Sequence, residues 1–138
     1  MTVGAKISSV SINSDAYTSR QAAYEAANVA EAKKSLGTLV LDVRKVTVLA
    51  EFFVICGASS QAQARAIVGG IEKALNKLGH QPLNVEGQTD GRWILLDYGS
   101  LIIHVLQERE RNFYNLEKFW NHALIVDRTD WLDTKKNC

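Results

Sequence analysis

Cysteine is nearly absent from this chain, with Cys56 inside an apolar run and Cys138 at the last position. Neither has the spacing of a disulfide framework or of a metal site, which suits a reducing compartment, and Cys56 reads as a small core residue. Long hydrophobic runs are missing as well. None approaches the roughly 20 residues of a membrane-spanning helix, so no membrane partner is expected. Net charge is scarce: a balance of +1 gives a weak overall field. That is too little for a sequence-independent grip on phosphates, so no direct recognition of nucleic acid is expected. The first 17 residues are rich in serine and contain no apolar stretch of the signal-peptide kind. Asp15, and the lack of any arginine before Arg20, argue against a transit peptide, which leaves a flexible tail and a cytoplasmic location.

What is present fits one domain, since 138 residues lie near the commonest domain size. The expected limits are a domain over residues 18–122, flanked by tails at 1–17 and 123–138. Thr18 and Gln21 resemble a capping box that opens a helix from Ser19 to Leu36. Its apolar stripe is Ala22, Ala23, Ala26, Ala27 and Ala30, and Gly37 is its stop. A second helix follows the Ser60 and Gln63 capping pattern, with Ala64, Ile67, Val68, Ile71 and Leu75 at helical spacing and Gly79 as the stop. Inside it, Gly69 and Gly70 read either as a close approach to another chain segment or as simple tolerance. Extended segments are expected at Thr38–Val43, Glu51–Cys56, Gln81–Val85, Arg92–Tyr98 and Leu101–Gln107. A last helix, capped by Asn112, would pack Phe113, Leu116, Phe119 and Trp120, with a mixed tail from Ala123 onward. The fold class is therefore α/β: a single mixed sheet of about five strands with helices packed on it.

The most informative stretch is Trp93 to Leu106, where two alternating runs flank Gly99-Ser100. Glycine at the first central position is what a two-residue type II′ hairpin demands. The register then sets Tyr98 against Leu101, Leu96 against Ile103 and Ile94 against Val105, all on a core side. Asp97 faces Ile102, Leu95 faces His104 and Trp93 faces Leu106 on the other side, which mixes ionisable and large apolar groups. An acid and an imidazole are costly to bury unpaired, and Trp93, Leu95, Ile102 and Leu106 left in water make an apolar patch. A protein interface resolves both; the alternative is a helix covering this face too.

Catalytic readings find less support. Asp97 and His104 are diagonal neighbours, yet no serine or cysteine nucleophile has a place beside them. His80, His104 and His122 have no metal-site spacing, so no metal is expected. Gly57 to Ser60 before a helix would suit a phosphate at a helix N-terminus, as in nucleotidyltransferases. Those enzymes also need a pair of acids on the following strand to hold magnesium, and Gln81 to Val85 contains none. A helix cap ending a strand is the simpler reading. Glu108 to Arg111 alternates charge as a solvated loop or helix start does.

Several stretches together resemble the ribosomal silencing factor family, also called Iojap-like or RsfS. They are Leu49 to Ile55, the Gly57 to Ser60 turn, Val85-Glu86-Gly87, Trp93 to Gly99, His104-Val105, and Arg111 to Trp120. The resemblance implies a nucleotidyltransferase-like topology without the catalytic carboxylates, no enzymatic activity and no cofactor. It also implies a partner, the fourteenth protein of the large ribosomal subunit, bound where that subunit meets the small one. Subunit joining would be blocked and translation repressed when nutrients are scarce. Carried over by position, the partner-binding residues are Trp93, Asp97, Tyr98 and His104, with Glu86 and Tyr114 nearby and Leu95 and Leu106 on the same face. Tyr98 enters only if its hydroxyl emerges at the rim, because the register sends its ring to the core. Glu51 stands where the family usually has aspartate, Asn115 likewise, and Phe119 where it has leucine. A nucleotide-binding enzyme is the alternative, and an exposed sheet face or the terminal helix would also serve a homodimer.

Overall fold

The computed structural model describes residues 19–114 and 122–133. Helix α1 over residues 19–32 is followed by β1 (Leu36–Asp42), β2 (Phe52–Ala58), α2 (Gln61–Lys77) and β3 (Asn84–Glu86). Then come β4 (Trp93–Asp97), β5 (Leu101–Gln107), α3 (Glu108–Tyr114), β6 (Leu124–Ile125) and α4 (Arg128–Trp131). The strands form one mixed sheet in the order β3-β4-β5-β2-β1-β6, with β2 and β5 parallel and every other neighbouring pair antiparallel. The α/β class stands as expected, with six strands rather than about five. The additional one, β6, pairs only Ile125 with Leu41 and Leu124 with Asp42, too short a run to show a period of two.

One face of the sheet carries Val40, Phe52, Val54, Cys56, Ile94 and Leu96, together with Leu101, Ile103 and Val105, all buried. Against it lie the alanines of α1 and Ala64, Ile67, Val68, Ile71 and Leu75 of α2. Small side chains let α1 approach closely. A Cβ on Gly70 would stand 3.0 Å from Val29 Cγ1 and 3.1 Å from Lys33 Cε, so this glycine serves the α1–α2 contact, whereas Gly69 faces open space. Burial pushes the Cys56 thiol up to about 12, which leaves it an inert core group.

Helix ends follow hydrogen bonds more than residue type. Ser60 Oγ accepts from Gln63 N–H at 3.0 Å, while Gln63 Oε1 accepts from Ser59 N–H at 2.7 Å, a capping box displaced by one residue on its return arm. Ser60→Ala is expected to cost about 1 kcal/mol of stability, measured as a lower urea midpoint at unchanged slope. At the far end His80 N–H reaches Leu75 O and Gly79 N–H reaches Asn76 O, with Gly79 at φ +88°. The same closure ends α1 earlier than expected. Ser35 N–H bonds Ala30 O, Lys34 N–H bonds Glu31 O, and Lys34 itself takes φ +70°. Gly37 is therefore not the stop. The chain must turn sooner because Leu36 already pairs with Gly57, and Gly37 sits at an irregularity of the β1–β2 register.

The chain from Ala123 is not a mixed tail through Asp133. Besides β6 it carries α4, whose Trp131 is 4% exposed and packs into the main core. Asn28 Nδ2 donates to Trp131 O at 2.6 Å, and Asn28 Oδ1 accepts from Asp133 N–H at 2.7 Å. Arg128 pairs with Glu31 and lies over the Trp131 ring. Asp127 caps the short helix, accepting from Thr129 N–H at 2.9 Å. A four-residue helix has no apolar period, so only docking reveals it. Two further limits move: the third strand is Asn84–Glu86, and α3 begins at Glu108 rather than at an Asn112 cap. The tail before Ser19, the side chains of Phe113 and Tyr114, and Leu116, Phe119 and Trp120 lie outside the described residues.

Candidate partner-binding face

The β4–β5 hairpin has the register read from its turn. Trp93 pairs with Leu106, Ile94 with Val105, Leu95 with His104, Leu96 with Ile103 and Asp97 with Ile102. Gly99 takes φ +87°, Tyr98 N–H donates to Leu101 O at 2.9 Å, and Asp97 Oδ1 accepts from Gly99 N–H at 2.8 Å. Parallel pairing with β2 then extends each row, placing Ile55 beside His104 and Phe53 beside Ile102. Glu86 pairs with Leu95 and so belongs to the same face, at the sheet edge. It is exposed, and its carboxylate accepts from Asn84 Nδ2 at 2.7 Å.

This face holds a second, smaller cluster in which no residue of α1 or α2 takes part: Leu41, Val43, Ala50, Phe53, Ile55 and Leu106 are buried, with Trp93, Ile102 and Ala123 partly so. The expected open patch is thereby corrected. Leu106 has no exposed surface and His104 keeps 9%, while Trp93, Leu95, Asp97 and Ile102 are half-buried. The β1–β2 connection, through Val43 and Ala50, and the chain at Ala123 supply the cover. What stays open is a cavity of about 490 Å³ with His104, Asp97, Leu95, Ile102, Phe53 and Ile55 among its walls. Leu49 and Leu83 also line it and are 84% and 76% exposed, so two large apolar side chains stand in water at its mouth.

His104 is the polar centre of this wall. Trp93 Nε1–H donates to His104 Nδ1 at 3.1 Å, and the Phe53 ring meets the imidazole edge-on at 5.6 Å between centroids. Burial pushes the imidazole down to about 4, so it is neutral near pH 7. Tyr98 lies on the other side: its ring packs against the main core, as the register requires. Its hydroxyl does not emerge at the rim; it is buried without a hydrogen-bond partner among the described residues, and burial pushes it up to about 12. The hairpin thus brings Trp93, Leu95, Asp97 and His104 together, with Glu86 at the edge, Leu106 beneath and Tyr98 behind the sheet. The Tyr114 side chain lies outside the described residues.

Phe53, Ile55, Leu49 and Leu83 were not singled out as site residues from sequence. The signal available was weak: β2 is buried at all seven positions, so its run has no alternation to sort its faces. Among the described residues no group of three or more His, Cys, Asp or Glu is placed to hold a metal, and no helix is long and apolar enough to cross a membrane.

An open mixed sheet, helices on one face and a concave apolar site on the other, defines a small α/β protein with a candidate binding face. The family described as ribosomal silencing factor during starvation matches residues 16–137. The chain is 35% identical to the ribosomal silencing factor RsfS of Bacillus subtilis over 102 residues, 74% of this chain and 86% of that relative. A crystal structure of a protein from Chromobacterium violaceum superposes with a TM-score of 0.72 at 25% identity, covering 75% of this chain and 86% of that one. One from Bacillus halodurans gives 0.65 at 32% identity, covering 74% and 92%. The chain belongs to the ribosomal silencing factor family.

Proposed function

We propose that this protein is a cytoplasmic, non-enzymatic silencing factor. It binds the large ribosomal subunit through that subunit's fourteenth protein, on the surface that meets the small subunit, and represses translation under nutrient limitation by steric occlusion. The observation that carries this reading, beside family membership, is the apolar cavity walled by buried His104, with half-buried Trp93 bonded to that imidazole and exposed Leu49 and Leu83 at the cavity mouth. Interfaces favour an aromatic anchor in a concave apolar site ringed by groups able to hydrogen-bond. Leu95 and Asp97 contact the partner directly and Glu86 meets it at the rim, while Leu106 and Tyr98 support the hairpin from below and behind. Occlusion needs only affinity and bulk, with no cofactor and no chemical step.

The test is sedimentation. The purified chain should travel with isolated large subunits and lower the yield of joined particles when small subunits are added. Trp93→Ala should keep the circular dichroism of the fold and weaken binding by about 2 kcal/mol, roughly thirtyfold in Kd. If nucleotide with magnesium raises the melting temperature while large subunits fail to retain the chain, the nucleotidyltransferase-like enzyme replaces this reading.

A further inference from the structure

The contact between Trp93 and His104 dictates which hydrogen bond the site can offer. An indole nitrogen only donates, so at 3.1 Å His104 Nδ1 must be the acceptor and carries no proton. A neutral imidazole with a bare Nδ1 holds its proton on Nε2, which makes that nitrogen an obligate donor. No described residue accepts from it, and His104, 9% exposed, is among the residues that line the cavity. On the same wall stands Asp97, a diagonal neighbour about 7–8 Å away along the hairpin. Asp97 Oδ1 accepts from Gly99 N–H at 2.8 Å, and Asp97 and His104 line the same cavity, so a carboxylate shares that space with the imidazole. A carboxylate or phosphate entering there would be repelled by Asp97, and an ammonium or guanidinium cannot accept. The group that fits is a neutral carbonyl oxygen of a polypeptide, its apolar neighbours filling the space over Phe53 and Ile102.

Resting on the reading of this face as the docking surface, we propose that His104 Nε2–H is a specificity-determining donor to a carbonyl oxygen of the protein partner. Trp93 is the positioning residue that holds the imidazole in that tautomer. Trp93 therefore has two roles, apolar bulk and tautomer selection, and Trp93→Phe removes the second entirely while keeping an aromatic ring in place.

Two measurements on the full-length chain test this. In the free protein, long-range ¹H–¹⁵N spectra at neutral pH should show His104 with a pyridine-like Nδ1 and a protonated Nε2, and Trp93→Phe should give a mixture of both tautomers. A protonated Nδ1 in the wild-type chain overturns the proposal. In sedimentation with large subunits, Trp93→Phe and His104→Phe should each weaken binding about tenfold, by the same factor at low and at high salt. Binding at wild-type strength by His104→Phe overturns it, as does a loss that disappears at about 0.5 M salt, which marks a charged group in the cavity. Where His104→Phe lowers the melting temperature, Trp93→Phe carries the binding test alone. A wild-type chain that large subunits do not retain overturns the reading of the face and this inference with it. Retention with unchanged variants overturns this inference only.

Discussion

Replacing Trp131 by alanine is expected to lower the unfolding free energy by about 3–5 kcal/mol. The indole sits in the main core at 4% exposure although its helix is only four residues long, so nothing in α4 itself would hold it there. Truncation would leave a void under α1. It would also loosen the segment whose backbone closes both ends of Asn28, through Trp131 O and Asp133 N–H. Asn28 is itself 5% exposed, and losing a partner inside the protein costs more than the bond contributes, because the orphaned group is not rehydrated. Against a typical total of about 5–15 kcal/mol the change is large. Urea titrations should show the midpoint falling by about a fifth or more, and a loss below about 1 kcal/mol would mean that residues 128–133 are a dispensable tail after all.

The second large effect is acid destabilisation centred on His104. Burial holds its imidazole at about 4 in the folded chain, against 6.5 for the ordinary value. The unfolded chain thus takes up a proton as pH falls below about 6.5, while the folded chain refuses it until about 4. More protons are bound in the unfolded state throughout that window, so stability falls as pH falls. Above it His104 has no influence, and at its lower end the accumulated loss is of order 3 kcal/mol. Asp42, which its hydrogen bond from Arg44 holds below the usual carboxylate range, titrates beneath the window. Urea unfolding at pH 7.5 and 4.5 should therefore show a drop in the wild-type chain that His104→Phe largely removes. Equal drops in both chains would show that the imidazole is not the group responsible.

Legibility in the sequence tracked the range of the forces involved. The register of β4 and β5 was readable because a two-residue turn with a positive φ at Gly99 leaves one pairing, and alternation then sorts every side chain. Helix α2 was readable from its cap, its apolar period and its glycine. The end of α1 differs from expectation because the left-handed residue that closes the helix is Lys34, while Gly37, also left-handed at φ +55°, already lies within β1, where Leu36 pairs with Gly57. The candidate site was half legible: Trp93, Leu95, Asp97 and His104 came from the hairpin alone.

By itself the sequence determined the class of fold, the hairpin that sorts core from surface, the two long helices and the family resemblance, because each rests on neighbours within a few residues or on motifs in order along the chain. Only the tertiary structure decided that Leu106 is covered, that Ile55 and Phe53 stand beside His104 and Ile102, and that Trp131 belongs to the core. Those contacts join segments dozens of residues apart, through a parallel strand pair and the docking of a helix too short to form alone. No local periodicity encodes a pairing of that kind; it emerges from the packing of the whole chain.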